Sequence, residues 1–566
     1  MSLIGALNIG TSALSVSQAA LQVTGNNISN AGNPDYTRQT ATISTTPDQQ
    51  IQPGIFMGTG VNLTAIQRQI DQSLEERLRS SDSDGQAAST AQDYLSRVET
   101  TLNALGDNNI STQLSQFFTS WSNLANTPQD ANLRQVVLQD GQSLGQEFNT
   151  ERSQLTNVQT DINSRLATQA KAANDLAQQV AQLNGQIAVA QGGHGQANGL
   201  LDQRDAVLKQ LAQIVNIKTV PQDNGTVNVY VGSEALVAGT TNQGLSMQLQ
   251  QTPQGPTPEL VFTANGGNVP ATSGEIGSLL SLRSQITGFE KQMDDLAHGL
   301  IFELNKIHSS GQGLDGISSV TATNAVADPT AALNTAGAGL PFTPTNGSFV
   351  VHVRQKASGQ QTSTLVQVDL DGLNSNDTSL TSLAASLNAI NGVSATITNG
   401  KLTVAANSSA VDLSFSQDSS GLLAALGVNS FFTGQNASDI AVNTTLQSNP
   451  NQLAAAKNGD PADNQTAMAI AALGTQPVSS LNGASVNDSY QAMVDQVAGK
   501  VATANTNVTA TKAVITTLSA QHDALSGVSL DEEAVNLVRQ QRAFQGAARL
   551  VSTVDQMMQT LLAMPI

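Results

Sequence analysis

Few residues in this chain are spaced for chemistry. Its five histidines are scattered, and none opens an H-E-x-x-H pair. His298 and His308 share one helical stretch but stand nearly three turns apart, too far for one ligand. Gly311-Gln312-Gly313-Leu314-Asp315-Gly316 matches G-x-G-x-x-G. Dinucleotide binding needs that run between a strand and a helix. Here a helical pattern precedes it and a loop follows, so it reads as a turn. Asp369-Leu370-Asp371-Gly372-Leu373-Asn374 begins like a calcium loop, but its glycine comes early and Leu380 stands where the closing glutamate belongs. Asp202 and Arg204 are an acid and a cation close together, yet on a helix they read as solvated charges. His522 falls on a heptad seam and reads as a polar core or rim residue. Cysteine is absent, which excludes disulfides, thiolate nucleophiles and cysteine metal sites. No Ser-His-Asp set can be assembled. The expectation is a protein that is not an enzyme, with no catalytic residues, cofactor or metal.

Composition narrows the class further. The net charge is −19, from 24 basic and 43 acidic residues. No basic patch survives that balance, so nucleic acid and anionic membranes are not expected partners. Charged residues make up 12%, about half the usual share. No apolar run approaches the ~18 residues of a membrane span. A secretory signal needs a basic start, and the first basic residue is Arg38.

The elements that organise the chain lie at its two ends. Leu7, Leu14, Leu21 and Ile28 recur every seven residues, with Ala6, Ala13 and Ala20 beside them. That is a coiled-coil seam. It runs into Asn26-Asn27-Ile28-Ser29-Asn30-Ala31-Gly32-Asn33-Pro34-Asp35-Tyr36, dense enough in Asn, Gly and Pro to stop a helix. At the other end Leu537, Phe544, Val551 and Met558 share one heptad position, and Ala547, Val554 and Leu561 share the second. Ser529 with Glu532 predicts a capping box, strengthened by Asp531 and Glu533 in the first turn. Two seams at opposite ends suggest that the ends meet.

Asn26 to Ala31, followed by Asn33-Pro34-Asp35-Tyr36-Thr37-Arg38-Gln39, resembles the N-terminal signature of the flagellar axial proteins: rod, hook and hook-associated proteins. The run Ser526 to Ala534, continuing through Gln540 to Gln545, is similar to the hook–filament junction members of that family, as is Leu200 to Asp205. Two departures stand out. Gly25 replaces the usual Ala before the Asn pair. Asp35 stands where the family has Gly, which puts a type II turn in doubt.

Between the seams the period changes several times. Residues 40–61 read as extended and turn-rich. Ile66, Ile70, Leu74 and Leu78 give one helical stripe, Leu95, Val98 and Leu102 another, with a polar break over Ser80 to Gly85. Leu114, Phe117, Phe118, Trp121 and Leu124 form the densest apolar cluster and read as core. A very long helix is predicted from Ala131 to Ala190, with a heptad stutter that predicts unwinding near Arg165 to Lys171. Gly192-Gly193-His194-Gly195 reads as a flexible link. From Ile217 the period falls to two, with Val227, Val229 and Val231 after an Asn224-Gly225 turn. A second β-rich stretch holds strands at Phe349–Val353 and Leu365–Leu370, a helix through Leu380 to Ile390 and a hairpin at Asn399-Gly400. Two interleaved heptad lines from Tyr490 to Leu525 predict another coiled coil. The predicted fold is mainly α with β insertions: N- and C-terminal helices paired as a coiled coil, a long helical-bundle domain, and two inserted β-rich domains. The expected boundaries are 1–60 with 528–566 for the terminal coiled coil, and 61–215, 275–310 and 443–527 for the helical rod. A small β insertion is expected over 216–274 and a larger outer one over 311–442.

The resemblance implies a structural subunit of the flagellum that joins hook to filament. It implies export without a cleaved signal and an extracellular location. The implied partners are the hook protein, the second hook–filament junction protein, copies of itself in a ring, and a cytoplasmic export chaperone. The assembly interface would comprise Leu7, Leu14, Leu21, Ile28, Asn26, Asn27, Asn30, Tyr36, Leu537, Phe544, Val551, Val554, Met558 and Leu561. The chaperone would cover Leu537, Phe544, Leu550, Val551, Val554 and Met557. The alternatives are another axial protein of hook or rod type, or a binding module carried on a coiled coil.

Overall fold

The computed structural model describes residues 2–102, 109–192, 195–252, 255–373 and 376–564. Gly193 and His194 of the expected link, and Asn374 of the Asp369 loop, lie outside the described residues. The fold is mainly α with β insertions. Helix α1 (Leu3–Ser29) leads into strands β1 (Gln39–Thr45), β2 (Gln49–Gln52), β3 (Ile55–Met57) and β4 (Val61–Arg68). Helices α2 (Gln72–Leu102), α3 (Ile110–Asn126), α4 (Ala131–Gln191) and α5 (Asn198–Ile214) follow. Next come β5 (Lys218–Pro221), β6 (Val227–Val231), β7 (Glu234–Ala238), β8 (Thr241–Asn242), β9 (Leu245–Thr252), β10 (Gly255–Phe262) and α6 (Gly274–Ser309). The second β-rich stretch holds β11 (Ser319–Thr321), β12 (Gly347–Gln355), β13 (Gln361–Val368), α7 (Leu380–Asn388), β14 (Val393–Thr398), β15 (Lys401–Ala406) and β16 (Val411–Ser416). It continues through α8 (Leu422–Leu426), β17 (Phe432–Thr433), β18 (Ala441–Val442) and α9 (Thr444–Ser448). Helices α10 (Gln465–Leu473), α11 (Val486–Ser526) and α12 (Leu530–Leu562) complete the chain. Two compact units emerge: Met1–Asp93, Asp161–Arg283 and Ala502–Ile566 form one, Tyr94–Thr160 and Ser284–Val501 the other.

In the first unit, α1 is capped by Ser2, whose Oγ accepts from the Gly5 amide at 3.1 Å. It packs on α12 and on the antiparallel β1–β4 ribbon. The ribbon corrects one expectation: Ile66 is not helical but pairs with Ala41 in β4. The helix starts only after Asp71, whose Oδ1 accepts from the Ser73 and Leu74 amides. The expected break at Ser80 to Gly85 is also absent, because α2 is continuous there. Gly85 instead marks close packing: a Cβ on it would stand 2.7 Å from Ile515 Cδ1 of α11. Nor does α4 unwind near Arg165. Leu166 and Ala170 are buried and carry its inward stripe across the stutter. The four-stranded sheet β5-β6-β7-β8 alternates as expected, with Val227, Val229 and Val231 buried.

The second unit is built around Phe117, Trp121, Phe431 and Phe432, whose rings meet at 4.8–6.4 Å. The buried Arg134 guanidinium donates to the Pro128 and Leu453 carbonyls. Sheets β13-β12-β16 and β11-β15-β14 enclose a separate apolar cluster with α7. The Asn399-Gly400 turn takes positive φ at both residues, 52° and 74°, as a two-residue hairpin requires.

Candidate assembly interface

Helix α12 presents one line to α1. Glu533, Leu537, Gln540, Phe544, Ala547, Val551, Val554 and Met558 alternate by four and three residues, and all are buried or half-buried. The facing surface of α1 is less apolar than its leucines suggest. Gly10, Ser17 and Thr24 are buried with Val16, Ala20, Val23 and Asn27, while Leu7, Leu14, Leu21 and Ile28 lie half-buried beside them. Small residues bring the backbones close: a Cβ on Gly10 would stand 2.8 Å from Val551 Cγ2. Leu550 and Met557 are outward and exposed, as is Leu561 near the end of α12. On α1, Asn26 is exposed and Asn30 half-buried.

The end of α1 is tied to the start of α12 by a polar clasp. Asn27 is 1% exposed and Glu533 is 2% exposed. Asn27 Nδ2 donates to the Gln39 carbonyl at 2.9 Å and to Glu533 Oε2 at 3.2 Å. Its Oδ1 accepts from the Gln39 amide at 3.0 Å and from the Tyr36 hydroxyl at 2.7 Å. Arg38 Nε donates to Glu533 Oε1 at 3.0 Å, and its Nη1 reaches Glu532 Oε2 at 2.8 Å. The Arg38 amide donates to the Ser526 carbonyl at 2.9 Å, just before α12. Asn26 Nδ2 meets the Tyr36 hydroxyl at 3.3 Å, and Asn30 bonds only back to Asn26.

Two local expectations change here. Ser529 Oγ accepts from the Glu532 amide, but the Glu532 carboxylate is spent on Arg38, so only half the capping box forms. The Asn33–Tyr36 turn closes through Tyr36 N to Asn33 O at 3.2 Å. Asp35 is not at positive φ; its amide is held by Asn33 Oδ1, so the type II turn is not used.

Charge around the clasp is balanced by burial and pairing. Burial, then the negative charges of Asp202 and Glu533, pushes the Tyr36 hydroxyl up to about 12. Arg68 on β4 holds Asp202 at 2.9 Å and Asp205 at 2.7 Å. Asp202 is therefore not a solvated helix charge, and neither is Arg204. Arg204 Nη1 donates to Asn184 Oδ1 and the Gly225 carbonyl, and burial lowers its pKa. Arg38, Gln39, Arg68, Ser526 and Glu533 were not singled out as site residues from sequence. One signal was present: Glu533 falls on the heptad line that runs to Met558, where a charge needs a buried partner, and Arg38 is the first cation in the chain.

The other chemically suggestive residues serve packing and turns. His308 is fully buried: Nδ1 lies 2.8 Å from the Asn429 carbonyl and Nε2 accepts from the Ala454 amide. Burial holds it down at about 4. Gly311 to Gly316 is a loop whose glycines make room for backbone, since a Cβ on Gly313 would stand 2.3 Å from the Asn451 carbonyl. One carboxylate oxygen each of Asp369, Asp371 and Asp377 gathers within 4.8 Å. Asp371 and Asp377 accept from the Leu373 and Gly372 amides, and Asp369 accepts from Asn376 Nδ2.

Heptad-paired terminal helices joined to a helical domain define the class as a flagellar axial protein, and sequence profiles agree. The profile of the flagellar hook-associated protein FlgK helical domain matches residues 95–321, and that of the flagellar basal body rod FlgEFG protein C-terminal region matches 520–564. The chain is 27% identical to flagellar hook-associated protein 1 of Escherichia coli (strain K12), covering 98% of this chain and 99% of that one. It is 32% identical over 235 residues to the protein of that name from Bacillus subtilis (strain 168), covering 40% of this chain and 46% of that one. The solved structure of the flagellar hook junction protein FlgK from Burkholderia pseudomallei aligns over 80% of this chain and 100% of that one, at 17% identity and a TM-score of 0.49. The chain belongs to the flagellar hook-associated protein 1 family.

Proposed function

We propose that the chain acts as a structural subunit of the bacterial flagellum, a junction protein that joins hook to filament. The observation that carries this is the clasped pairing of α1 with α12 in a chain similar to hook-associated protein 1 over nearly its whole length. Its partners are the hook protein below, the second junction protein above and copies of itself in a ring, through the seam residues and the outward face of α12. That face carries exposed Val535, Val538, Leu550 and Met557, more apolar surface than an isolated helix leaves uncovered. Before export a helical chaperone covers Leu537, Phe544, Leu550, Val551, Val554 and Met557. Four of these face α1 in the paired form, so the chaperone takes the place of α1. Among the described residues no helix is long and apolar enough to cross a membrane, which fits export to an extracellular flagellum. We assign 1–60 with 528–566 to the terminal domain, 61–215, 275–310 and 443–527 to the helical domain, and 216–274 and 311–442 to the β-rich insertions. Strands β5–β10 fall within the first insertion and β11–β18 within the second.

Negative-stain microscopy of cells lacking this protein tests the proposal. Hooks without filaments are expected, with filaments restored by the intact gene. Normal filaments in the deletion strain would overturn it.

A further inference from the structure

His522 stands where two carboxylates converge. It lies on α11, four residues before Ser526. Its Nε2 is 3.0 Å from Glu75 Oε1 on α2, and its Nδ1 is 3.2 Å from Asp523 Oδ1. A neutral imidazole has one N–H and can donate to only one of them, leaving the other carboxylate against a lone pair. Only the imidazolium donates to both. The pair adjoins Leu74, Leu78 and Leu518, a buried cluster of three leucines between α2 and α11. So small an apolar contact leaves a charged hydrogen bond a large share of the holding. Just beyond it, the Ser526 carbonyl accepts from Arg38, which grips Glu532 and Glu533 at the start of α12.

We propose that His522 and Glu75 form a proton-sensitive clamp on the α11–α12 joint. With the imidazole protonated, the last turns of α11 are held on α2. Loss of the proton releases them and loosens the first turns of α12. The device operates in the free chain, whether or not it joins an assembly.

The neighbouring charges tune the clamp. From α2, Glu75 faces the ring and Arg79 acts on Glu75; from α5, Lys209 also acts on Glu75; from α11 itself, Asp523 faces the ring. Asp82, further along α2, senses both Glu75 and Lys209. The Glu75 hydrogen bond, helped by Asp523, raises His522 above its ordinary 6.5 against the cost of burial. Burial pushes Glu75 up, but the His522 bond and charge outweigh it, and Glu75 ends below its ordinary 4.5. A raised folded pKa means that the His522 contribution is complete below 6.5 and is lost as pH rises through the folded value. The Glu75 contribution is complete above 4.5 and is lost as pH falls through its depressed value.

The test uses the full chain, following amide exchange of residues 518–540 between pH 5.5 and 9, corrected for intrinsic rates, beside an NMR titration of the His522 ring. The ring is expected to titrate above 6.5, with protection of residues 527–537 falling roughly tenfold over the same interval. Glu75→Gln should lower both midpoints together, and His522→Gln should abolish the step. Both variants keep the three leucines, so unchanged exchange along α2 separates loss of the clamp from unfolding. Protection that stays flat while the ring titrates, or a midpoint unmoved by Glu75→Gln, would refute the clamp.

Discussion

Three asparagines crowd the end of α1, and only one of them should matter. Replacing Asn27 with Ala removes four hydrogen bonds, to the Gln39 amide and carbonyl, the Tyr36 hydroxyl and Glu533. Neutral bonds contribute about 1 kcal/mol net each and a bond to a charge about 1.5–3. Gln39 and Tyr36 are half-buried, so water recovers part of the loss. The expected cost is therefore about 3–5 kcal/mol. Asn26→Ala removes one long contact on an exposed residue and should cost below ~0.5 kcal/mol. A protein of two units need not unfold in one step, so local amide exchange is the suitable assay. Protection across residues 30–40 and 530–537 should fall by roughly 10²–10⁴-fold for Asn27→Ala, and remain near wild type for Asn26→Ala. Equal losses for the two substitutions, or an unaffected α12 start in Asn27→Ala, would mean that the clasp does not hold the termini together.

Gly10→Leu drives a side chain into Val551 and should cost about 1–3 kcal/mol by overpacking, read as lost exchange protection around Ala547 to Val554 with the second unit unchanged. His308, held at about 4 by burial, is neutral in the fold but charged when unfolded below 6.5. The second unit should therefore gain about 3 kcal/mol from pH 4 to 6.5 on this account. The fluorescence of the single tryptophan, Trp121, 6.4 Å from His308, reports it in urea titrations. Glu151 acts in the opposite sense: burial and then Glu147 push it up to about 8, so it binds a proton in the fold that the unfolded chain has lost. Its contribution should fall by about 2 kcal/mol between pH 6.5 and 8. Glu151→Gln should leave the Trp121-monitored midpoint flat across that range, and an unchanged alkaline decline would exclude Glu151 as its cause.

The sequence alone determined the class of fold and the meeting of the ends. Seven-residue repeats at Leu7 to Ile28 and Leu537 to Met558 are local patterns, and a helix with one apolar stripe must bury it. Turn residues such as Asn399-Gly400 were equally legible, because left-handed backbone is a local requirement. Tertiary structure decided which residues touch. Heptad counting points to large side chains, yet closest approach falls on Gly10, Ser17 and Thr24, where the absence of bulk lets α12 come near. The Ser80 to Gly85 run looked like a break because polar residues and glycine weaken isolated helices, but packing on α11 keeps α2 continuous there. Asp202 and Arg204 looked solvated because their partners, Arg68, Asn184 and Gly225, are distant in sequence. The clasp illustrates the same limit: Asn27 and Glu533 lie 506 positions apart, and only folding turns an asparagine among three and a glutamate among three acids into one buried contact.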